Sequence, residues 1–227
     1  ARSHNLFGLT EEDRAWEETG QSSDHRGLLY FPGCIVRFWL PDLARSTSQV
    51  LRSAGLRLAT LGRGEWCCGN PLLLTGKIDL AEEALRHNVA QLGLAGVNRI
   101  VTSCPGCYRT LKQDYAARGG EGLTIMHVAE LIRDLVVDGA IELSSPVRER
   151  VTYHDPCELG RRSGVFEAPR EVLSKVKGLD LVEMPRNREE ALCCGGGGGV
   201  RASNPNLARR VALERLDEAR KLGVSKV

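Results

Sequence analysis

The chain has 227 residues, of which 42% are hydrophobic and 26% are charged, and these proportions are ordinary for a soluble globular protein with a normal core. A net charge of +2 gives no basic surface of the kind that binds nucleic acid or acidic membranes. The longest apolar stretch, 28–40, contains Pro32 and Arg37 and is too short to span a bilayer, and no signal peptide is visible. A cytoplasmic, reducing location is therefore predicted, in which thiols stay free.

Residues 1–27 are polar and are predicted to form a linker or docking arm. A short helix is expected over 10–18, because Thr10 followed by Asp13 resembles a capping box. From residue 28 the hydrophobic pattern alternates between strand and helix periods. Strands are predicted at 28–31, 56–61, 99–103 and 123–128, with helices at 43–54, at 81–92 stopped by Gly93, from Pro105 onward and at 128–136. The motif at 32–34, Pro-Gly-Cys, is predicted to be a turn.

The same order of elements follows in the second half of the chain. Strands are predicted at 150–154 and 179–184, and helices at 167–176 and 207–219. Strands that alternate with helices of this length are typical of βαβ units around a mainly parallel sheet. The predicted fold is therefore α/β, with two tandem βαβ-type repeats at 28–142 and 143–227.

Eight cysteines form two sets with one order, a single cysteine and then a doublet, and the first set continues into Cys-x-x-Cys. The first set is Cys34, Cys67, Cys68, Cys104 and Cys107, and the second is Cys157, Cys193 and Cys194. Residues 96–100 lead into Cys104, and residues 223–227 repeat that phrase, so the final pair of the second set is expected just beyond Val227. Each group follows the carboxyl end of a strand, where ligands gather in parallel sheets, so the cysteines of one repeat are expected to converge on a metal–sulfur site.

Thiolates are soft ligands suited to iron–sulfur clusters and to zinc. Five thiolates exceed the four positions of a tetrahedral ion, so the first set favours a cluster with several irons. Gly69 follows the first doublet, and Gly195 and Gly196 follow the second. These glycines are predicted to contact the cofactor, since glycine allows close backbone approach and its N–H can bond to sulfide.

Other interpretations of the cysteines remain open. A disulfide framework needs an oxidising compartment and usually serves smaller chains. Structural zinc usually has other cysteine spacings, and free structural thiols do not normally recur as matched sets. The five-glycine run at 195–199 lacks the Gly-Lys-Ser/Thr ending of a phosphate-binding P-loop.

Five motifs carry a family resemblance: Phe31-Pro32-Gly33-Cys34, Glu65-Trp66-Cys67-Cys68-Gly69-Asn70, Ser103-Cys104-Pro105-Gly106-Cys107, His154-Asp155-Pro156-Cys157 and Cys193-Cys194-Gly195. Together they resemble the cysteine-rich (CCG) domain family over about residues 28–227. This family includes the catalytic B and D subunits of heterodisulfide reductase. It also includes iron–sulfur subunits of glycolate oxidase, anaerobic glycerol-3-phosphate dehydrogenase and electron-transfer-flavoprotein–quinone oxidoreductases.

The resemblance implies a 4Fe–4S cluster, cubane or non-cubane, with a complete ligand set in the first repeat and three of five ligands in the second. Asn5-Leu6-Phe7-Gly8, with Trp16 downstream, resembles the link that follows a ferredoxin-type domain in some family members. Redox partners are therefore expected, either a ferredoxin-type domain or subunit or a flavoprotein subunit.

Three functions follow from these observations. The first is an enzyme that takes electrons from a ferredoxin-type partner and reduces a disulfide, with His154 and Asp155 helping to deliver protons. Alternatively, His154 is a strand-end residue and Asp155 a turn residue without catalytic roles. The second function is an electron relay between a flavin dehydrogenase and a quinone. The third is a structural zinc-binding domain without redox chemistry.

Overall fold

The computed structural model describes residues 27–227. The predicted linker or docking arm, with its helix at 10–18, lies outside the described residues except for Gly27. The described chain divides into two compact units. The first contains residues 27–70 and 79–131, and the second contains residues 71–78 and 132–227. This division lies before the predicted repeat boundary at 142/143.

The first unit contains a four-stranded parallel sheet with the order β2–β1–β3–β4. Its strands are β1 (Leu28–Tyr30), β2 (Leu58–Ala59), β3 (Arg99–Thr102) and β4 (Thr124–His127). In the centre, Leu29 pairs with Ala59 on one side and with Ile100 on the other. β1 is fully buried, as expected for a central strand of a parallel sheet covered on both faces.

Helices connect these strands and continue past the last one. They are α1 (Gly33–Trp39), α2 (Pro41–Ser53), α3 (Asn70–Leu74), α4 (Ile78–Ala95), α5 (Pro105–Gln113) and α6 (Val128–Val137). Pro105 opens α5 as predicted, because proline fits the first helical position, whose N–H has no partner within the helix. The main core packs β1 and β3 against α4 and α5: Leu29, Phe31, Cys68, Leu85, Leu92, Val97, Ile100, Cys107, Leu111 and Tyr115. Two of the predicted ligands, Cys68 and Cys107, are thus part of the hydrophobic core.

The second unit repeats this order with shorter strands. Besides most of α3 and the end of α6, it contains β5 (Arg150–Val151), α7 (Glu167–Ser174), β6 (Asp180–Leu181), α8 (Val200–Ser203) and α9 (Pro205–Lys221). β5 and β6 are parallel, and Val151 also forms a parallel bridge with Lys226. Val151 therefore has a partner on each side, as Leu29 has in the first unit, and the repeated phrase at 223–227 lies where β3 lies in the first sheet. The predicted α/β fold with parallel strands is confirmed.

Several predicted boundaries of strands and helices are wrong. The strands predicted at 56–61, 150–154 and 179–184 each shrink to two residues. Helix α4 passes through Gly93 and ends before Gly96, whose φ is +65°. Leu92, on the same turn as Gly93, is buried in the core, and this packing outweighs the roughly 1 kcal/mol that an internal glycine costs.

The predicted turn at 32–34 is the start of helix α1. Gly33 has a φ of +72°, and its N–H donates a 3.0 Å hydrogen bond to Glu65 Oε1. The chain thus changes directly from strand to helix at the residue before Cys34. Across residues 27–227, none of the helices is both long enough and apolar enough to cross a bilayer.

Candidate metal centre

The cysteines of the first set all lie at helix N-termini. Cys34 is in the first turn of α1, the doublet Cys67-Cys68 precedes α3, and Cys104 is the N-cap residue of α5, with Cys107 in its first turn. The first N–H groups of a helix have no partner inside it, and the helix dipole favours negative charge there. These positions stabilise thiolates, the form of cysteine that binds metal.

The five thiols form one row in which neighbours can share protons. Cys67 accepts from Cys34 and from Cys68, and Cys107 lies between Cys68 and Cys104 and can donate its single proton to either. Three loops that are far apart in the sequence therefore bring their sulfur atoms together, as the strand order predicts.

The contacts within the row lower the pKa of some thiols and raise the pKa of others. Hydrogen bonds from Cys34 and Cys68, aided by the backbone N–H of Gly69, lower the pKa of Cys67 to about 3. The hydrogen bond from Cys107, with the backbone N–H groups of Cys107 and Gly106, lowers the pKa of Cys104 to about 7. Donating to Cys67 raises the pKa of Cys34, and burial raises it further. Cys67 and Cys104 are thus the two thiols of the row that are stabilised as thiolates.

The donor set fits an iron–sulfur cluster better than a single ion. Within residues 27–227, no group of three or more His, Cys, Asp or Glu side chains is arranged to hold a metal ion as it stands. The thiols lie in a row of five instead, and a tetrahedral zinc takes four ligands. Thiolate is the usual ligand of iron–sulfur clusters.

Glycines make room around this row. A Cβ on Gly33 would overlap Cys107 Sγ, and one on Gly69 would overlap the side chain of Leu85. Gly69 also has a φ of +91°, a conformation that other residues rarely adopt. Gly69 thus packs against α4 and donates its N–H to Cys67, while its predicted contact with a cofactor stays a prediction.

The second cysteine set is more open. Cys193 and Cys194 are exposed, and Cys157 is half-buried in a turn after β5. Backbone N–H groups face both doublet sulfurs, from Gly195 to Cys193 Sγ at 3.3 Å and from Gly196 to Cys194 Sγ at 3.4 Å. Burial, and then the nearby charges of Glu158 and the doublet, raise the pKa of Cys157. The charges of the doublet thus act on Cys157, the third cysteine of the second set.

The two glycines after this doublet differ in how they could be replaced. Gly195 has a φ of +75°, and a Cβ there would overlap the carbonyl oxygen of Ala208, whereas a Cβ on Gly196 would make only an ordinary 3.7 Å contact with Cys194 Sγ. Gly195→Ala is expected to lower the free energy of unfolding by about 1–3 kcal/mol. Gly196→Ala should change it by less than about 0.5 kcal/mol. Urea denaturation of the two variants checks this, and equal effects would contradict the assigned backbone contact.

His154 lies beside a cavity of about 530 Å³ in the second unit that Cys194 also lines. Arg215 Nε donates a 3.0 Å hydrogen bond to His154 Nδ1. Because arginine has no acceptor, Nδ1 must accept, and a neutral ring then carries its proton on Nε2. Burial, and then the positive charges of Arg215 and Arg161, lower the pKa of His154. Arg215 thus fixes the imidazole ring, and the neutral ring can donate a hydrogen bond from Nε2–H.

Asp155 is held in a buried ion pair instead. Arg170 contacts both of its oxygens, at 2.7 and 2.8 Å, and the backbone N–H of Arg188 donates to Oδ2 at 2.8 Å. Burial alone would raise the pKa of Asp155, but the hydrogen bonds from Arg170 and Arg188 outweigh it and hold the pKa below its usual value. These contacts favour the structural alternative for Asp155.

Sequence reasoning missed Arg170 and Arg215, which are almost fully buried. Each lies within a predicted helix whose neighbours are apolar, at 167–176 and 207–219. A charged residue on the buried face of a helix was the available signal, because such a residue needs a partner. The sequence did not show which partner.

Comparison with known proteins places this arrangement in a family. A family model described as a cysteine-rich domain matches residues 28–112 and 151–227. The chain belongs to the cysteine-rich (CCG) domain family. The matched segments contain all eight cysteines of the two CCG repeats, and the resemblance drawn from the five motifs is confirmed.

Curated relatives of this CCG chain come from several redox complexes. The D subunit of the dihydromethanophenazine:CoB–CoM heterodisulfide reductase of Methanosarcina acetivorans is 40% identical over 223 residues, which are 95% of this chain and 54% of that protein. The B subunit of the fumarate reductase (CoM/CoB) of Methanothermobacter marburgensis is 36% identical, over 92% of this chain and 44% of the relative. The EtfAB:quinone oxidoreductase of Syntrophomonas wolfei is 32% identical, over 85% and 26%. The chain spans about half the length of the first of these relatives, and less of the others.

Proposed function

We propose that this chain is the iron–sulfur core of an oxidoreductase subunit that resembles heterodisulfide reductase. It takes electrons from a ferredoxin-type domain or subunit and reduces a disulfide or a similar acceptor. The observation that carries this proposal is the row of five thiols in the first unit. The 40% identity to the D subunit of a heterodisulfide reductase supports the choice of acceptor. A reducing, cytoplasmic setting would keep the thiols free.

The ligands proposed for the first cluster are the five cysteines of the first set, and Cys157, Cys193 and Cys194 are proposed for the second. When bound, a 4Fe–4S cluster, cubane or non-cubane, supplies one-electron transfer. The residues of the chain provide negative sulfur atoms and aim backbone N–H groups at them. Gly69 does so for Cys67, and Gly195 and Gly196 do so for the second doublet.

His154 is proposed to assist proton delivery to the acceptor as a hydrogen-bond donor. Its Nδ1 accepts from Arg215, so the neutral ring keeps its proton on Nε2, and this N–H stabilises the forming thiolate, which solvent then protonates. Asp155 is no longer proposed for this role, because Arg170 and Arg188 hold both of its oxygens. His154→Gln is expected to slow disulfide reduction by about 10²- to 10³-fold, the usual effect of losing one hydrogen-bond donor to a developing negative charge, with unchanged iron content. Stopped-flow rates with matched iron analyses check this, and an unchanged rate would leave His154 with a structural role only.

The function itself is tested by rapid mixing of the reduced full-length protein with a small thiol disulfide under anaerobic conditions. The proposal predicts that the visible absorption of the reduced protein returns to that of the oxidised protein, and that one disulfide yields two thiols. A redox-active protein that remains reduced in this experiment would contradict disulfide reduction. A colourless protein with stoichiometric zinc would contradict every redox function.

A second function, the electron relay, is favoured by a specific observation. The EtfAB:quinone oxidoreductase of Syntrophomonas wolfei is similar over 85% of the chain. In this alternative, the partner is a flavoprotein subunit and the acceptor is a quinone. The same mixing experiment separates the two functions, because the relay predicts oxidation by a quinone and inertness toward the disulfide.

A further inference from the structure

A buried amide lies behind the first cysteine doublet. Asn88 is 0% exposed and lies on α4, on the face that also buries Leu85 and Leu92. An amide buried among apolar residues is costly unless its donors and acceptor are hydrogen-bonded. Asn88 therefore needs hydrogen-bond partners, and it finds them in the loop that carries the first cysteine doublet.

Asn88 binds the peptide that leads into the doublet. Its Oδ1 accepts from Trp66 N–H at 2.9 Å, and its Nδ2 donates to Trp66 O at 3.3 Å and to Cys67 O at 3.1 Å. Nδ2 also approaches Tyr115 OH at 3.0 Å. Both backbone groups of Trp66 and the carbonyl of Cys67 are thus fixed to one side chain. This fixes the backbone from which Cys67 Sγ projects.

The second unit has a residue at the same position of the corresponding helix. Gly96 and Gly223 begin the two copies of the repeated phrase. Asn88 lies as many residues before Gly96 as Arg215 lies before Gly223. A second contact supports this alignment, because Gly69 packs against the carbonyl oxygen of Ala81, and Gly195 against that of Ala208. Ala81 lies as many residues before Asn88 as Ala208 lies before Arg215. Helices α4 and α9 therefore meet their doublets in the same register.

Arg215 binds different groups from this position. Its side chain is 4% exposed, and Nη1 donates to the carbonyl of Arg186 at 2.7 Å, in the segment between β6 and Cys193. Nε donates to His154 Nδ1 at 3.0 Å, three residues before Cys157. Glu218, one turn further along α9, also accepts from Nη1. Asn88 binds the backbone of one loop. The longer guanidinium of Arg215 contacts both segments that carry the second cysteine set.

We propose that this helix position holds the positioning residue of each repeat, Asn88 for the first cysteine doublet and Arg215 for the second set. Neither residue offers a metal ligand, so each acts through the backbone or the side chain that it binds. This inference rests on the proposed function, since the doublets are taken to hold a cluster. The positioning residue is a neutral amide in the first unit and a cationic guanidinium in the second.

The test uses anaerobically purified full-length protein with Asn88→Leu, and Asn88→Asp as an isosteric second variant. Removing a residue that orients a ligand costs about 10–100-fold in metal affinity, so iron bound by the first cysteine set should be lost to a chelator correspondingly faster. The EPR spectrum of the remaining reduced cluster should change. Arg215→Met should instead alter the signal that depends on the second set.

A matched control separates positioning from stability. Leu51→Ala truncates a buried side chain of α2 and should destabilise the fold without changing the EPR spectrum. If both Asn88 variants show the parental spectrum and chelation rate, the inference is overturned while the proposed function stands. If the parent protein has no iron that depends on the first cysteine set, the result contradicts the proposed function itself, and the inference falls with it. Should Asn88→Leu not fold, Asn88→Asp decides.

Discussion

Cys67→Ser is expected to remove the iron of the first cysteine set. Cys67 accepts hydrogen bonds from two other thiols, and these lower its pKa to about 3, so it is the most stabilised thiolate of the row. A serine hydroxyl is a harder ligand and stays protonated. Residues that only orient a ligand already change metal affinity by about 10–100-fold, so losing the ligand should exceed that. Iron content and EPR spectra of parent and variant, purified anaerobically, measure the loss.

Cys157→Ser is the matched control, because it removes one thiol from the second set and none from the first. It should leave the signal of the first set intact. Unchanged iron content in Cys67→Ser would refute the assignment of Cys67 as a ligand. Equal losses in the two variants would show that the two sets do not act as separate sites.

Arg170→Leu is expected to destabilise the second unit strongly. The Arg170 and Asp155 side chains are 7% and 2% exposed and form two hydrogen bonds, and the substitution leaves the Asp155 carboxylate buried with only Arg188 N–H as a partner. Breaking a buried pair in this way costs about 3–5 kcal/mol. Urea denaturation under anaerobic conditions measures the change in unfolding free energy.

Arg188→Gln provides the contrast. Arg188 pairs with Glu167 through side chains that are 37% and 55% exposed, and exposed pairs contribute about 0–1 kcal/mol. Its backbone N–H still reaches Asp155 after the substitution. A loss in Arg170→Leu no larger than that in Arg188→Gln would contradict the structural role given to the buried pair.

The sequence predicted the parts of the fold that depend on local pattern. The order of strands and helices, and the return of that order in the second half, followed from hydrophobic period and from the repeated phrase before Cys104. The convergence of Cys34, Cys67 and Cys104 followed from one rule, that parallel strands end at the same edge of a sheet. Strand limits were less predictable, because they depend on how far neighbouring strands pair.

The contacts that support the cysteines could not be predicted in this way. Asn88 and Arg215 differ in charge and size, and only the packed structure shows that they occupy one position. Asp155 next to His154 looked like a second proton donor, yet Arg170, fifteen positions away, holds it as a carboxylate. Such pairings depend on side-chain reach in three dimensions, and hydrophobic periodicity carries no information about it.

The most direct measurement compares iron and acid-labile sulfide in the anaerobically purified full-length protein with those in a variant whose first-set cysteines are all serine. We expect the parent to contain more iron, and an equal excess of sulfide, because these thiols jointly hold one inorganic core. Identical iron and sulfide in the two proteins, or a difference in zinc alone, would contradict this account.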